Sequence, residues 1–154
     1  MRFMFLFVLL SSLFACKPAL LPKTEIPASA DNKIIYDIIE TYRLSMENKD
    51  KNTILSLISK DYFENGGTEV PDDDFGYEGF KDRMDDYFSR IKVIRLDLHY
   101  NKINVDRDKA VVDYRYKQRA HIQFPSGDKW ISDTDVKRII LRKEGNTWKI
   151  MSGL

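Results

Sequence analysis

The apolar residues change their spacing near Ile91, and this change is the feature that most constrains the fold. Before Ile91 they recur every three or four residues, which is typical of one face of a helix. After it they alternate with polar residues, which is typical of half-buried strands. The sequence therefore predicts an α+β fold in which N-terminal helices pack on a mainly antiparallel sheet.

Three helices are predicted in the first part of the chain. Asp31 or Asn32 is expected to cap the first, and Asp50 is expected to cap a second, shorter one. A third helix is predicted over about 78–91, because its aromatic and aliphatic residues fall at helical spacing.

Strands are predicted at about 94–100, 110–124, 129–143 and 147–152. Short turns rich in Gly, Asp, Asn and Pro connect the last three, so these strands should form an antiparallel meander. Between residues 133 and 141 the apolar positions keep to no single phase, which predicts a β-bulge there.

The N-terminus has the three parts of a secretory signal peptide. Arg2 is the basic residue, residues 3–13 are apolar, and Ala15 is the small residue before Cys16. The ending Leu13-Phe14-Ala15-Cys16 resembles the lipobox of bacterial lipoproteins. That resemblance implies a diacylglyceryl group on the Cys16 thiol and cleavage after Ala15. The alternatives are a signal peptide cut elsewhere and an uncleaved anchor, for which the apolar run is short.

This interpretation divides the chain into a signal peptide (1–15), a lipidated cysteine with a tether (16–31) and one domain (32–154). Acyl chains on Cys16 would hold the protein in the bacterial cell envelope. Lys17 takes the place of the aspartate that resembles an inner-membrane retention signal, so the outer membrane is the better expectation where the cell has one.

Composition narrows the classes of partner and metal site. Cys16 is the sole cysteine, so neither a disulfide nor a cysteine metal site is expected. Lys and Arg number 25 against 24 Asp and Glu, and the charges are interleaved, which argues against nucleic acid as a partner. Asn104-x-Asp106-x-Asp108 has calcium-loop spacing but lacks the later glycine and glutamate, so it is interpreted as a hairpin turn. No metal and no cofactor is expected.

The order of elements and the ending Trp148-Lys149-Ile150 resemble the NTF2-like superfamily, which includes ketosteroid isomerase and scytalone dehydratase. The resemblance covers about residues 32–152 and implies a cone in which the sheet wraps the helices around a pocket. Enzymes of the family place an acid or base and an oxyanion donor in that pocket. The fold supports many functions, so it implies a pocket without a particular chemistry.

Strand phase selects the candidate pocket residues. Tyr114, Tyr116 and Gln118 should point toward the helices, with the two tyrosines as hydroxyl donors to a ligand. Arg138 would bind an anionic ligand if it also faces inward. The alternative is that the tyrosines only fill the core and that Arg138 is a solvated strand residue.

No catalytic residue can be assigned from the sequence. His99 and His121 fall in the polar phase of their strands and are expected to face solvent. Three functional hypotheses remain. The first is a non-enzymatic lipoprotein that binds a small ligand or a protein partner. The second is an enzyme of the isomerase or dehydratase type, and the third is a module that assembles as a homodimer.

Overall fold

The computed structural model describes residues 18–66 and 73–154. The predicted cleavage and lipidation positions, Ala15 and Cys16, lie outside the described residues. In these two ranges no helix is both long and apolar enough to cross a membrane. The helices are α1 (Ala30–Asn48), α2 (Lys51–Leu57) and α3 (Tyr77–Arg90). The strands are β1 (Phe63–Glu64), β2 (Phe75–Gly76), β3 (Ile91–Asp106), β4 (Lys109–Phe124), β5 (Gly127–Glu144) and β6 (Thr147–Ser152).

Helix α1 begins earlier than the sequence predicts. Its cap is Ser29, whose hydroxyl accepts a 3.2 Å hydrogen bond from the backbone N–H of Asn32, so a cap at Asp31 or Asn32 is wrong. Asn32 is already inside the helix, and its side-chain amide donates to the carbonyl of Pro27 at 2.9 Å. Serine is as good a cap as aspartate or asparagine, which is why composition alone could not select the position.

The segment expected to act as a tether is partly folded onto the domain. The backbone N–H of Leu21 donates to the carbonyl of Ile26 at 2.9 Å, and that of Ala28 donates to Ala19 at 2.7 Å. Leu21 and Ile26 are buried in the core. The folded unit therefore begins near residue 19 rather than at residue 32.

The two shorter helices follow the prediction closely. Asp50 caps α2 by accepting from the backbone N–H of Thr53 at 3.1 Å and from its hydroxyl at 2.6 Å, as expected for this residue type. Helix α3 ends at Arg90, and the chain passes directly into β3. It buries Phe80 and Met84, one turn apart, against the sheet and the other helices.

The main sheet has the order β3-β4-β5-β6, with every neighbouring pair antiparallel, so the predicted meander is confirmed. The β4–β5 pairing runs without a register shift from Lys109 opposite Arg142 to Phe124 opposite Gly127. The bulge expected within residues 133–141 therefore does not interrupt that ladder, and an irregularity at Ile140 and Leu141 affects only the pairing with β6. The irregular alternation of apolar and polar residues in β5 has another cause. Residues 128–136 are exposed on both faces of the sheet, so either face accepts polar residues.

The core lies between the helices and one face of this sheet, here called the inner face. Isoleucines of α1 and α2 meet aliphatic residues of all four strands. The fully buried members include Ile35, Ile39, Ile54, Ile94, Val112, Ile139, Leu141 and Ile150. Ser59 ties the end of α2 to β6, because its backbone N–H donates to the carbonyl of Ile150 at 2.9 Å. The opposite side of the sheet is called the outer face.

Candidate functional site

A cavity of about 210 Å³ lies between the helices and the inner face of the sheet. Most of its wall is apolar, and its polar groups come mainly from tyrosines. The lining residues are Tyr42, Met46, Phe80, Met84, Tyr87, Leu96, Leu98, Tyr114, Tyr116, Gln118, Lys137 and Leu154. Every helix except the short α2 contributes, so the cavity is a product of the packing of the two layers.

Strand β4 supplies the residues that the sequence predicted for the pocket. Tyr114, Tyr116 and Gln118 occupy alternate positions and all line the cavity, so their predicted inward orientation is confirmed. The cross-strand partners of these three residues on β3 are Tyr100, Leu98 and Leu96. A role for the tyrosines in binding a ligand stays a prediction.

The hydroxyls of the two tyrosines make different contacts. Tyr116 donates a 2.5 Å hydrogen bond to the carboxylate of Asp133 on β5, whereas Tyr114 lies 3.5 Å from the carbonyl oxygen of Gly153. Burial raises the pKa of the Tyr116 hydroxyl, and the bond to Asp133 adds to the effect. Burial and the carboxylates of Glu64 and Asp135 raise the pKa of Tyr114. Both groups therefore remain protonated at neutral pH and can donate hydrogen bonds.

Helices α1 and α3 add two tyrosines that strand phase could not identify. Tyr42 is buried beside Met46, one turn away on α1, and Tyr87 lies on α3. Burial raises the pKa of both hydroxyls. The helical spacing of Tyr42 is typical of a core position on α1, but this spacing is the same for a residue that lines a cavity.

Arg138 does not face the cavity. Its side chain is 65% exposed on the outer face, where Nε lies 2.6 Å from Oδ1 of Asp113. The inward orientation on which its proposed role depended is therefore wrong. The reason is the period of the strand, since Ile139 is fully buried and Arg138, the residue directly before it, must point to the opposite face.

Lys137 is the cation that β5 presents to the cavity. Its ammonium group donates a 3.1 Å hydrogen bond to the backbone oxygen of Leu154, which also lines the cavity. Gly153 is fixed beside it, because its N–H donates to the Glu64 carboxylate at 2.7 Å. The segment 153–154 thus forms one wall of the cavity through contacts with β1 and β5.

Both histidines lie away from the cavity. His99 is exposed, and the ring of His121 stacks on Trp130 of the outer face with a centroid distance of 4.9 Å. The predicted outward orientation is confirmed. Among the described residues that line the cavity, none has a carboxylate or imidazole side chain. Asp133, which is exposed, accepts a hydrogen bond from the cavity hydroxyl of Tyr116.

No protein-family model and no curated protein matches this sequence. Solved structures do resemble it. A conserved protein from Planctomyces limnophilus shares 16% identity, with a TM-score of 0.71 over 80% of this chain and 93% of that one. A ketosteroid isomerase-like protein from Erwinia carotovora atroseptica shares 11% identity, with a TM-score of 0.67 over 81% and 94%.

A further similar structure is that of a protein from the NTF2-like family. It is a dehydratase candidate of the NTF2-like family from Streptomyces avermitilis, with 16% identity and a TM-score of 0.62 over 80% of this chain and 93% of that chain. Identities this low establish architecture and leave function open. Together with the order of elements, they show that this chain has the predicted NTF2-like fold, an α+β architecture of helices packed against a mainly antiparallel sheet.

Proposed function

We propose that the domain binds one small, largely apolar molecule in the cavity between its helices and its sheet. The observation that carries this proposal is the cavity itself, whose wall is mostly apolar and whose few polar groups can orient a ligand. In the described part of the lining, no side chain has a carboxyl or an imidazole for proton transfer. Binding is therefore favoured over acid–base chemistry inside the cavity.

The volume limits the size of the ligand. A cavity of about 150 Å³ is enough to hold benzene, and this one measures about 210 Å³. Drug-sized ligands occupy pockets of roughly 300–1,000 Å³. A single ring with a small substituent, or a short branched chain, is the class that fits without expansion of the cavity.

The polar groups suggest an acceptor on that ligand. Tyr114 and Tyr116 carry protonated hydroxyls, and Lys137 supplies a positive charge at the wall formed by Leu154. A carbonyl, hydroxyl or carboxylate oxygen could replace the backbone oxygen of Leu154 as the partner of the Lys137 ammonium.

An enzyme of the isomerase or dehydratase type is the second candidate. The observation that favours it is the 2.5 Å hydrogen bond from Tyr116 to Asp133, which places a carboxylate next to a cavity hydroxyl. Two similar structures carry the names ketosteroid isomerase-like protein and dehydratase candidate. In this alternative Asp133 is the base, and when its carboxylate accepts the substrate proton the Tyr116 hydroxyl turns from Asp133 to donate to the developing oxyanion.

The binding proposal can be tested with three single-ring probes, toluene, phenol and benzoate, added to the purified full chain in NMR titrations. We expect all three to shift amide signals of residues around the cavity. Lys137→Met should weaken benzoate binding several-fold more than toluene binding. Arg138→Met is the matched control, because it removes a neighbouring cation from the opposite face. Absence of binding by every probe, or equal losses in both variants, would contradict the proposal.

The enzymatic alternative has its own test. Cyclohexanone fits the cavity by size, and the exchange of its α-protons in D₂O reports a base acting next to a carbonyl. Acceleration by the wild-type chain that disappears in Asp133→Asn and falls in Tyr116→Phe would favour the enzyme. Probe binding without accelerated exchange would favour the binding protein.

We also propose that acyl chains on Cys16 anchor the protein in the cell envelope, in the outer membrane where the cell has one. The domain would then lie close to the bilayer, because Ala19, which already pairs with Ala28, follows Cys16 by only three residues. In bacterial expression, the wild-type chain should fractionate with membranes and incorporate labelled palmitate. Cys16→Ser should lose the label and become soluble, and membrane association unchanged by this substitution would exclude the lipid anchor.

A further inference from the structure

The outer face of the sheet carries a line of cations that the overall composition conceals. Arg115, Lys117 and Arg119 occupy alternate positions of β4, a central strand, and all three are exposed. Arg95 on β3 lies directly opposite Arg119 and is also exposed. These four residues, Arg95, Arg115, Lys117 and Arg119, are called the basic column.

The members of the basic column make no ion pairs with other described residues. In the part of the chain that the structure describes, none of its four members forms a salt bridge, whereas neighbouring Arg138 pairs with Asp113. Asp97 is opposite Lys117, but no ion pair joins them. Other described cations, including Lys102 and Lys143, also lack a salt bridge, so the basic column is distinguished by the alternation of three of its members along one strand.

The placement of Arg95 opposite Arg119 has a cost. Directly opposed residues of an antiparallel pair have their Cβ atoms about 4.5–5.5 Å apart, and like charges there destabilise the sheet. Local violations of such rules are expected mainly at functional sites. An anion that lies between the two guanidinium groups would remove the repulsion and gain charge-assisted hydrogen bonds.

One member of the basic column is held in place by an aromatic group. The guanidinium carbon of Arg119 lies 4.7 Å from the ring centroid of Trp130, and Trp130 also stacks on His121 with an interplanar angle of 12°. A cation fixed in this way loses less side-chain entropy when it binds an anion. The Trp130 ring is already engaged by both neighbours.

We propose that the outer face binds an acidic polysaccharide, with its carboxylates seated along the basic column. Alternate residues of a strand are about 6.6–6.8 Å apart, so the three cations of β4 form a straight track for a linear polyanion. This site is separate from the cavity and does not depend on the proposed function. Charge complementarity is the basis of recognition, and the proposed partner is a polymer rather than a single ion because the charges extend along the strand.

Two other classes of partner fit the surface less well. Protein interfaces are enriched in Arg but depleted in Lys, and they centre on apolar or aromatic anchors that become desolvated. On this face the exposed apolar residues Trp130 and Val136 lie on β5, beside the exposed cations of β4 rather than at a shared centre. Single-stranded nucleic acid binds through aromatic faces on which successive bases stack, whereas the cations of β4 alternate along a strand and Trp130, although 52% exposed, already contacts His121 and Arg119. A flexible polymer with charged groups and no bases needs neither feature.

The test is a binding measurement on the full chain with polygalacturonate as the acidic polysaccharide. Neutral dextran is the control polymer, and single-stranded DNA represents the other class of polyanion. The double variant Arg95→Gln, Arg119→Gln should lose at least tenfold in affinity for polygalacturonate at low salt. The same result is expected for Arg115→Gln, Lys117→Gln. Arg138→Gln, a paired cation of the same face, should remain within twofold of wild type.

Binding to polygalacturonate should weaken steeply with added salt, and less steeply in the two double variants, because exposed charges are screened. Both variants remove like-charge repulsion, so thermal unfolding should show that they stay folded. The proposal is overturned by equal affinity for polygalacturonate and dextran, by equal losses in the Arg138 control, or by tighter binding of single-stranded DNA.

Discussion

The carboxylate of Glu47 accepts a 2.9 Å hydrogen bond from the backbone N–H of Leu96, and this contact joins α1 to the edge strand β3. Leu96 is buried, so its N–H would otherwise lack a partner at the open side of the sheet. Arg43 holds Glu47 in position through a 3.2 Å ion pair. We expect Glu47→Ala to lower the free energy of unfolding by about 1–3 kcal/mol, the usual cost of an unsatisfied buried donor.

Urea unfolding at pH 7 measures this change. Asp37→Ala is the matched control, because Asp37 lies on the same helix and is exposed. It should stay within about 0.5 kcal/mol of wild type. Equal losses in the two variants would show that helix charge, and not the bond to Leu96, is responsible.

The cavity can be blocked without changing the charge of the site. Leu98 lines the cavity, while the next residue, His99, is exposed on the other face of β3. Leu98→Trp should fill much of the 210 Å³ and abolish the NMR shifts caused by toluene. His99→Trp adds the same side chain outside the cavity and should leave binding intact. Unchanged toluene binding in folded Leu98→Trp would place the probe elsewhere.

The pair of Asp113 and Arg138 makes a pH-dependent contribution to stability. The hydrogen bond from Arg138 lowers the pKa of the Asp113 carboxyl below its ordinary value of about 3.9. Because the folded-state pKa is depressed, the stabilisation is present above pH 4 and is lost as the pH falls through the folded-state value. Arg138→Met should return the Asp113 pKa upward in a carboxyl ¹³C titration. The stability difference between the two proteins should shrink toward zero in acid, and a difference that grows in acid would contradict this assignment.

Strand phase predicted much of the site from the sequence, and the one site residue that it left undecided, Arg138, is informative. Alternation placed Tyr114 inward and His121 outward because β4 keeps one phase along its whole length. The same rule did not decide which face Arg138 occupies. The neighbouring residues 128–136 are exposed on both faces, so their apolar and polar residues do not alternate. Counting from the buried Ile139 and Leu141 alone would have selected Lys137 instead.

The basic column could not be predicted from the overall composition. Net charge near zero argued against nucleic acid as a partner, but a period of two collects Arg115, Lys117 and Arg119 on a single face. Cross-strand register then brings Arg95 beside them, and register cannot be obtained from composition. The cavity could not be predicted from the sequence either, because Tyr42 and Met46 have the same spacing whether they line a cavity or fill a core.

Gly153 lies close to the backbone of β5. Its φ is +93°, a conformation that favours glycine, and an added Cβ would clash with the backbone carbonyl oxygen of Arg138. Gly145, in the turn between β5 and β6, also has a positive φ of 61°, but nothing lies near its missing Cβ. Gly145→Ala should cost about 1 kcal/mol from backbone strain alone.

Gly153→Ala should cost about 2 kcal/mol more than that, because the clash adds to the strain and a backbone carbonyl cannot move aside as a side chain can. It should also weaken toluene binding, since the displaced segment carries Leu154 away from the cavity wall and breaks the bond from Gly153 to Glu64. Urea unfolding and the NMR titration measure the two effects on the same samples. Equal destabilisation by Gly153→Ala and Gly145→Ala would mean that the segment 153–154 is not packed against β5 as described.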